Sequence, residues 1–115
     1  TAVYHAFRRL FERFDYVVAP AAQVFPFPAQ EHWPQSVAGV AMDTYHRWME
    51  IVAPFTLAGL PVAAVPVGFS ARGLPMGMQV AGPPRADLRV LALRHAWEGM
   101  PPWTAQRPPA LARSA

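Results

Sequence analysis

The sequence predicts an α/β fold, a small mixed sheet of about three strands, near 16–19, 62–68 and 75–81, packed against about three helices. Three observations carry this. Apolar residues recur every three to four positions in three separate stretches. Two short, uniformly apolar runs, Tyr16-Val17-Val18-Ala19 and Val62-Ala63-Ala64-Val65, end at or just before a proline. A Ser70-Ala71-Arg72-Gly73 turn then leads into Met76-Gly77-Met78-Gln79-Val80-Ala81, which reads as the returning strand of a hairpin. A helix repeats its faces every 3.6 residues and a strand every two, so these patterns separate the two classes of element.

The first helix is read from Val3, Phe7, Leu10, Phe11 and Phe14, with charged residues on the other faces, and Asp15 ends it. Residues 20–35 hold Pro20, Pro26, Pro28 and Pro34 beside Phe25, Phe27 and Trp33. So many missing backbone donors predict an irregular loop whose aromatics pack on something, as a cap on the apolar layer or as an apolar substrate mouth. Val37, Val40, Ala41, Tyr45, Trp48, Met49 and Val52 predict a second helix over 37–52. Pro54 to Gly59 forms a short separate helical turn, stopped by Gly59 and Pro61. The run at 62–65 is expected to be a strand buried on both faces, with Pro66 marking a bulge or strand end. Asp87 opens a third helix whose packing face is read as Leu88, Leu91, Ala92, His95 and Ala96.

Composition narrows the function. Of 115 residues, 53% are hydrophobic and 15% charged, against about 25% charged in an ordinary domain, so some apolar surface is expected to face a partner. The net charge of +3 comes from scattered arginines without a basic run, which argues against nucleic acid. Zero cysteines exclude disulfides, thiolate nucleophiles and cysteine-ligated metals, and leave the cytoplasm as the default compartment. No apolar run approaches the ~18 residues of a membrane span. The chain starts without Met, as a piece of a longer protein would.

Reactive groups are sparse. His5, His32, His46 and His95 lack metal-ligand spacing, and no cofactor motif is present. Gly68-Phe69-Ser70 resembles a nucleophile elbow only superficially, because Ser70 falls in a hairpin turn rather than between a strand and a helix. His46 and Glu50, one helical turn apart, are a possible proton relay and more simply a solvated contact. Met76 and Met78 share a strand face as core filler.

One stretch is distinctive. Thr56-Leu57-Ala58-Gly59-Leu60-Pro61, Val65-Pro66-Val67-Gly68-Phe69 and Gly73-Leu74-Pro75-Met76-Gly77-Met78-Gln79-Val80, preceded by Asp15-Tyr16-Val17-Val18-Ala19-Pro20, is similar to the closing third of amidase signature enzymes over residues 7–109. The resemblance implies hydrolysis of carboxylic amides by a serine, a bridging serine and a neutral lysine, aided by backbone N–H groups at the oxyanion. None of these can be assigned here: all ten basic residues are arginine, and Ser36, Ser70 and Ser114 lack a Gly/Ser-rich setting. The resemblance therefore implies a catalytically empty C-terminal part at 1–109 with a tail at 110–115. Phe55 and Thr56 become candidates for the wall of a pocket for a small amide, and Gly59, Pro61, Pro66, Gly73, Gly77 and Gln79 its structural motif. Thr56 departs from the asparagine usual there, which removes an amide's paired donor and acceptor. The expected partner is the N-terminal remainder of the amidase or a second copy of the chain. The alternative reading is an interaction module using the aromatic loop and Pro-rich tail. A self-sufficient enzyme built on His46 and Glu50 is a third.

Overall fold

The structure is a computed structural model and describes residues 1–100 and 102–106. The tail expected at 110–115 lies outside the described residues. Helix α1 (Ala2–Phe11) is followed by strand β1 (Val17–Pro20), a hairpin of β2 (Ser36–Val37) and β3 (Val40–Ala41), and a 3-10 turn at Arg47–Met49. Helix α2 (Ala53–Leu57), strands β4 (Val62–Phe69) and β5 (Pro75–Ala81), and helix α3 (Asp87–Glu98) complete the fold before a last 3-10 turn at Pro102–Ala105.

The three expected strands form one sheet in the order β1-β5-β4. Both pairings are antiparallel, so β1 and β4 run alike on either side of β5. The structure corrects the expectation that β4 is buried on both faces. It is an edge of the described sheet, and only Ala63 and Val65 along it are buried, while Val62 is 40% exposed. A uniformly apolar strand shows that both faces prefer to leave water, not that this chain can cover both. Pro66 is tolerated because β4 has no strand neighbour on its far side among the described residues, and the register slips between Pro66 and Gly68, the bulge its sequence implies.

One sheet face, with Val18, Ala63, Val65, Met78 and Val80, receives α3 through Leu93 and Trp97. Val90, 3% exposed, and the bond from Trp97 Nε1 to the Pro66 carbonyl at 2.9 Å seat the helix. This corrects the expected face: Leu88 is 82% exposed and Leu91 53%. Apolar residues occur around more of α3 than one stripe, so periodicity alone does not choose a side. Asp15 accepts from Arg89 at 2.8 Å, and Tyr16 donates its hydroxyl to the Arg89 carbonyl at 3.2 Å, tying the approach to β1 onto α3.

The second helix expected at 37–52 is absent. Ala38 (φ 49°) and Gly39 (φ 81°) are both left-handed and make the two-residue turn of the β2–β3 hairpin. The three-to-four spacing instead serves an aromatic cluster. Trp48 packs edge-on to Phe27 at 5.7 Å and to Tyr45 at 6.1 Å, and Tyr45 meets Trp33 at 6.0 Å. Phe27 and Trp33 of the Pro-rich loop are thus used inside the chain, while Phe25 is 43% exposed.

The molecule is a slab of 47 × 39 × 20 Å with a radius of gyration of 16.5 Å. A compact domain of this length has about 13 Å. The core is correspondingly thin, and large apolar side chains such as Leu57 and Met100 stand 71% and 68% exposed.

Candidate functional site

The site grows from the segment that precedes β4. Phe55 is buried, with its ring 5.2 Å from that of Phe7 on α1, so α1 and α2 meet through this pair. Thr56, one residue on, is exposed, and its hydroxyl reaches the Val52 carbonyl at 3.5 Å. The structure therefore turns one of the two proposed wall residues inward and the other outward. Gly59 (φ 64°) takes the left-handed conformation that stops α2. Pro61 then offers its carbonyl to the Gly82 N–H at 3.0 Å.

Gly73 (φ 75°) closes the β4–β5 turn. Ser70 Oγ accepts from the backbone N–H of Arg72 at 3.3 Å and of Leu74 at 3.1 Å. Its oxygen is occupied by the turn, and the backbone it belongs to is a hairpin, as its sequence context implies. Gly77 lies where a Cβ would stand 3.2 Å from both the Ala21 Cβ and the Val65 carbonyl oxygen, a close backbone approach.

Gln79 is the one buried polar side chain of the described core, 5% exposed. Its Nε2 donates to the Pro20 carbonyl at 2.9 Å and to the Ile51 carbonyl at 3.2 Å. The Ile51 N–H in turn donates to Gln23 Oε1 at 3.1 Å. Sequence reading singled out Gln79 but missed Gln23. The available signal was a lone amide inside the apolar stretch Ala21-Ala22-Gln23-Val24-Phe25.

Two recesses flank this junction. An apolar cleft of about 550 Å3 lies between the aromatic loop and the β4–β5 pair, lined among others by Phe25, Phe27, Trp48, Pro66, Met76 and Gly77. A polar recess of about 500 Å3 is lined by Asp43, Thr44, His46, Arg47, Glu50 and Ala53. Arg47 sits between Asp43 at 3.2 Å and Glu50 at 3.8 Å, so Glu50 is engaged by the guanidinium rather than by His46. No group of three metal-ligating side chains occurs among the described residues. No helix among them is long and apolar enough to cross a membrane. Hydrogen bonding to Asp15, with Tyr16 alongside, raises the Arg89 guanidinium above its ordinary value, which fixes its charge without giving it a role in proton transfer.

The arrangement defines a class first: an α/β layer with two recesses, whose described residues assemble no nucleophile and base. The amidase family profile matches residues 1–91, and the chain belongs to that family. It is 31% identical over 108 residues to a glutamyl-tRNA(Gln) amidotransferase subunit of Thermodesulfovibrio yellowstonii, covering 94% of this chain and 21% of that protein. The counterpart from Synechococcus sp. strain RCC307 is 34% identical over 110 residues, covering 96% of this chain and 21% of that protein. Among solved structures, a bacterial aryl acylamidase of the amidase signature family superposes with a TM-score of 0.79 at 31% identity, over 92% of this chain and 23% of that one. The glutamyl-tRNA(Gln) amidotransferase counterpart from Thermotoga maritima gives 0.69 at 26% identity, over 91% and 22%. The chain thus spans about a fifth of the length of the relatives it matches.

Proposed function

We propose that this chain is the scaffold and pocket-wall segment of an amidase that hydrolyses carboxylic amide C–N bonds. The serine, bridging serine and lysine that carry the reaction belong to the part of the enzyme beyond these 115 residues. One observation carries the reading: a chain matching about a fifth of its relatives' length has no lysine at all. Ser70 is committed to a turn, Ser36 lies in the exposed β2–β3 hairpin, and Ser114 stands outside the described residues.

In the complete enzyme a serine oxygen attacks the amide carbonyl, its proton passes to the lysine, the amine leaves, and water releases the acyl group. That sequence needs no cofactor. The chain's contribution is the wall formed by α2, with Thr56 on its exposed side and Phe55 seating it on α1, held by the motif of Gly59, Pro61, Pro66, Gly73, Gly77 and Gln79. The remainder of the amidase, or a second copy of the chain, completes the sheet and covers the outward face of β4. The excess radius of gyration and the thin core support that completion.

The test is hydrolysis of a simple primary amide and of an anilide by the 115-residue chain, alone and assembled with the rest of the amidase. No turnover is expected from the chain alone, and turnover from the assembly. Activity of the isolated chain that disappears on His46→Ala would refute the reading.

A further inference from the structure

Ile51 is the only described residue whose backbone N–H and C=O are both gripped by side chains, from two different parts of the fold. Gln23 Oε1 takes the N–H at 3.1 Å, and Gln79 Nε2 gives to the C=O at 3.2 Å. A primary amide carries two N–H hydrogens on one nitrogen, and Gln79 uses its nitrogen on two carbonyls, Ile51 and Pro20. The Pro20 bond anchors the grip to the end of β1. Room for it comes from the row Ala19–Gln79–Ala64 across the three strands, where the flanking residues are small. Ile51 itself lies between the 3-10 turn at Arg47–Met49 and α2, with Glu50 and Ala53 of the polar recess close to it along the chain and Phe55 and Thr56 following in α2. This junction has no strand partner, so the two glutamines substitute for a ladder.

We propose that Gln79 and Gln23 are positioning residues: together they clamp the Ile51 peptide and so fix α2, with Phe55 and Thr56, as a substrate wall. The inference rests on the amidase reading for its functional half and on geometry alone for the clamp. Glutamine is suited to both positions because one end must donate to carbonyls and the other must accept from an N–H, with no net charge to bury.

Two measurements test it. The first is amide hydrogen exchange at Ile51 in the 115-residue chain. Gln23→Met removes the acceptor and raises the exchange rate about tenfold, the scale of one lost hydrogen bond, while the Val80 and Ala63 amides keep their protection. Gln23→Glu keeps an acceptor and restores protection. The second is amide hydrolysis by the assembled amidase, where Gln23→Met and Gln79→Met each raise KM several-fold with kcat nearly unchanged, and the double variant costs less than the sum because both act on one peptide. Unchanged Ile51 exchange in Gln23→Met overturns the clamp. Faster exchange with an unaltered KM overturns its role in positioning the wall. If Gln79→Met does not fold, the two Gln23 variants decide the outcome by themselves. An inactive wild-type assembly counts against the amidase reading, and the exchange measurement still decides the clamp.

Discussion

Gly82, the first residue after β5, lies so close to α3 that a Cβ built on it would stand 2.6 Å from Val90 Cγ2. Val90 is 3% exposed, and the Gly82 N–H is held by the Pro61 carbonyl at 3.0 Å, so neither side can withdraw freely. The contact sets how near the helix sits to the sheet.

Gly82→Ala is therefore expected to destabilise the chain by about 1–3 kcal/mol through overpacking, seen as a lower urea midpoint at unchanged slope. Adding Val90→Ala to Gly82→Ala should cost less than the sum of the two single changes. Simple additivity of the two changes would show that the methyl groups do not meet.

Gly73 presents the opposite case. No atom lies within 4 Å of its notional Cβ, yet its φ is 75°. Gly73→Ala should cost about 1–2 kcal/mol from backbone strain alone, and Gly73→Asn less, since asparagine tolerates the left-handed region better. Equal thermal melting of the alanine variant and the wild type would contradict this.

Ser70→Ala deletes the acceptor of two backbone N–H groups in the β4–β5 turn. A loss of about 1 kcal/mol in stability is expected, with amide hydrolysis by the assembled enzyme unaffected. A loss of turnover out of proportion to stability would restore Ser70 as a candidate reacting group.

On α3 the two faces should respond differently. Val90→Ala is expected to lower stability by roughly 2 kcal/mol, whereas Leu88→Ser, at a position 82% exposed, should change it by less than about 0.5 kcal/mol in the chain alone. Parallel denaturant titrations of the two variants check the assignment. A large effect at Leu88 and none at Val90 would mean that the helix is rotated.

Much of the fold was legible from residue order. The strands at 17–20, 62–69 and 75–81 and the helices α1 and α3 follow from short apolar runs, proline stops and helical spacing. The irregularity at Pro66 was legible too, because it rests on a local property, a missing donor. The region 37–52 was not. Its spacing suited a helix, but Ala38 and Gly39 turn back sharply, and aromatic contacts with a loop some twenty residues away outweigh local propensity there. The face of α3 was misread for a related reason: several apolar stripes compete on that helix, and contacts with Gly82 and Pro66 select one.

For the site the division is similar. Sequence alone determined that this chain brings no lysine, no cysteine and no serine among glycines to the chemistry, since those are facts of residue identity that folding cannot alter. It also marked Gln79 as part of a motif. Only the tertiary structure decided what that amide does, because its partners, Pro20 and Ile51, are 59 and 28 residues away: Pro20 meets it once β1 pairs with β5, and Ile51 once the segment before α2 packs on the sheet. A hydrogen bond needs two groups within about 3 Å, and distance in space across a sheet is set by register and packing, which no local pattern encodes.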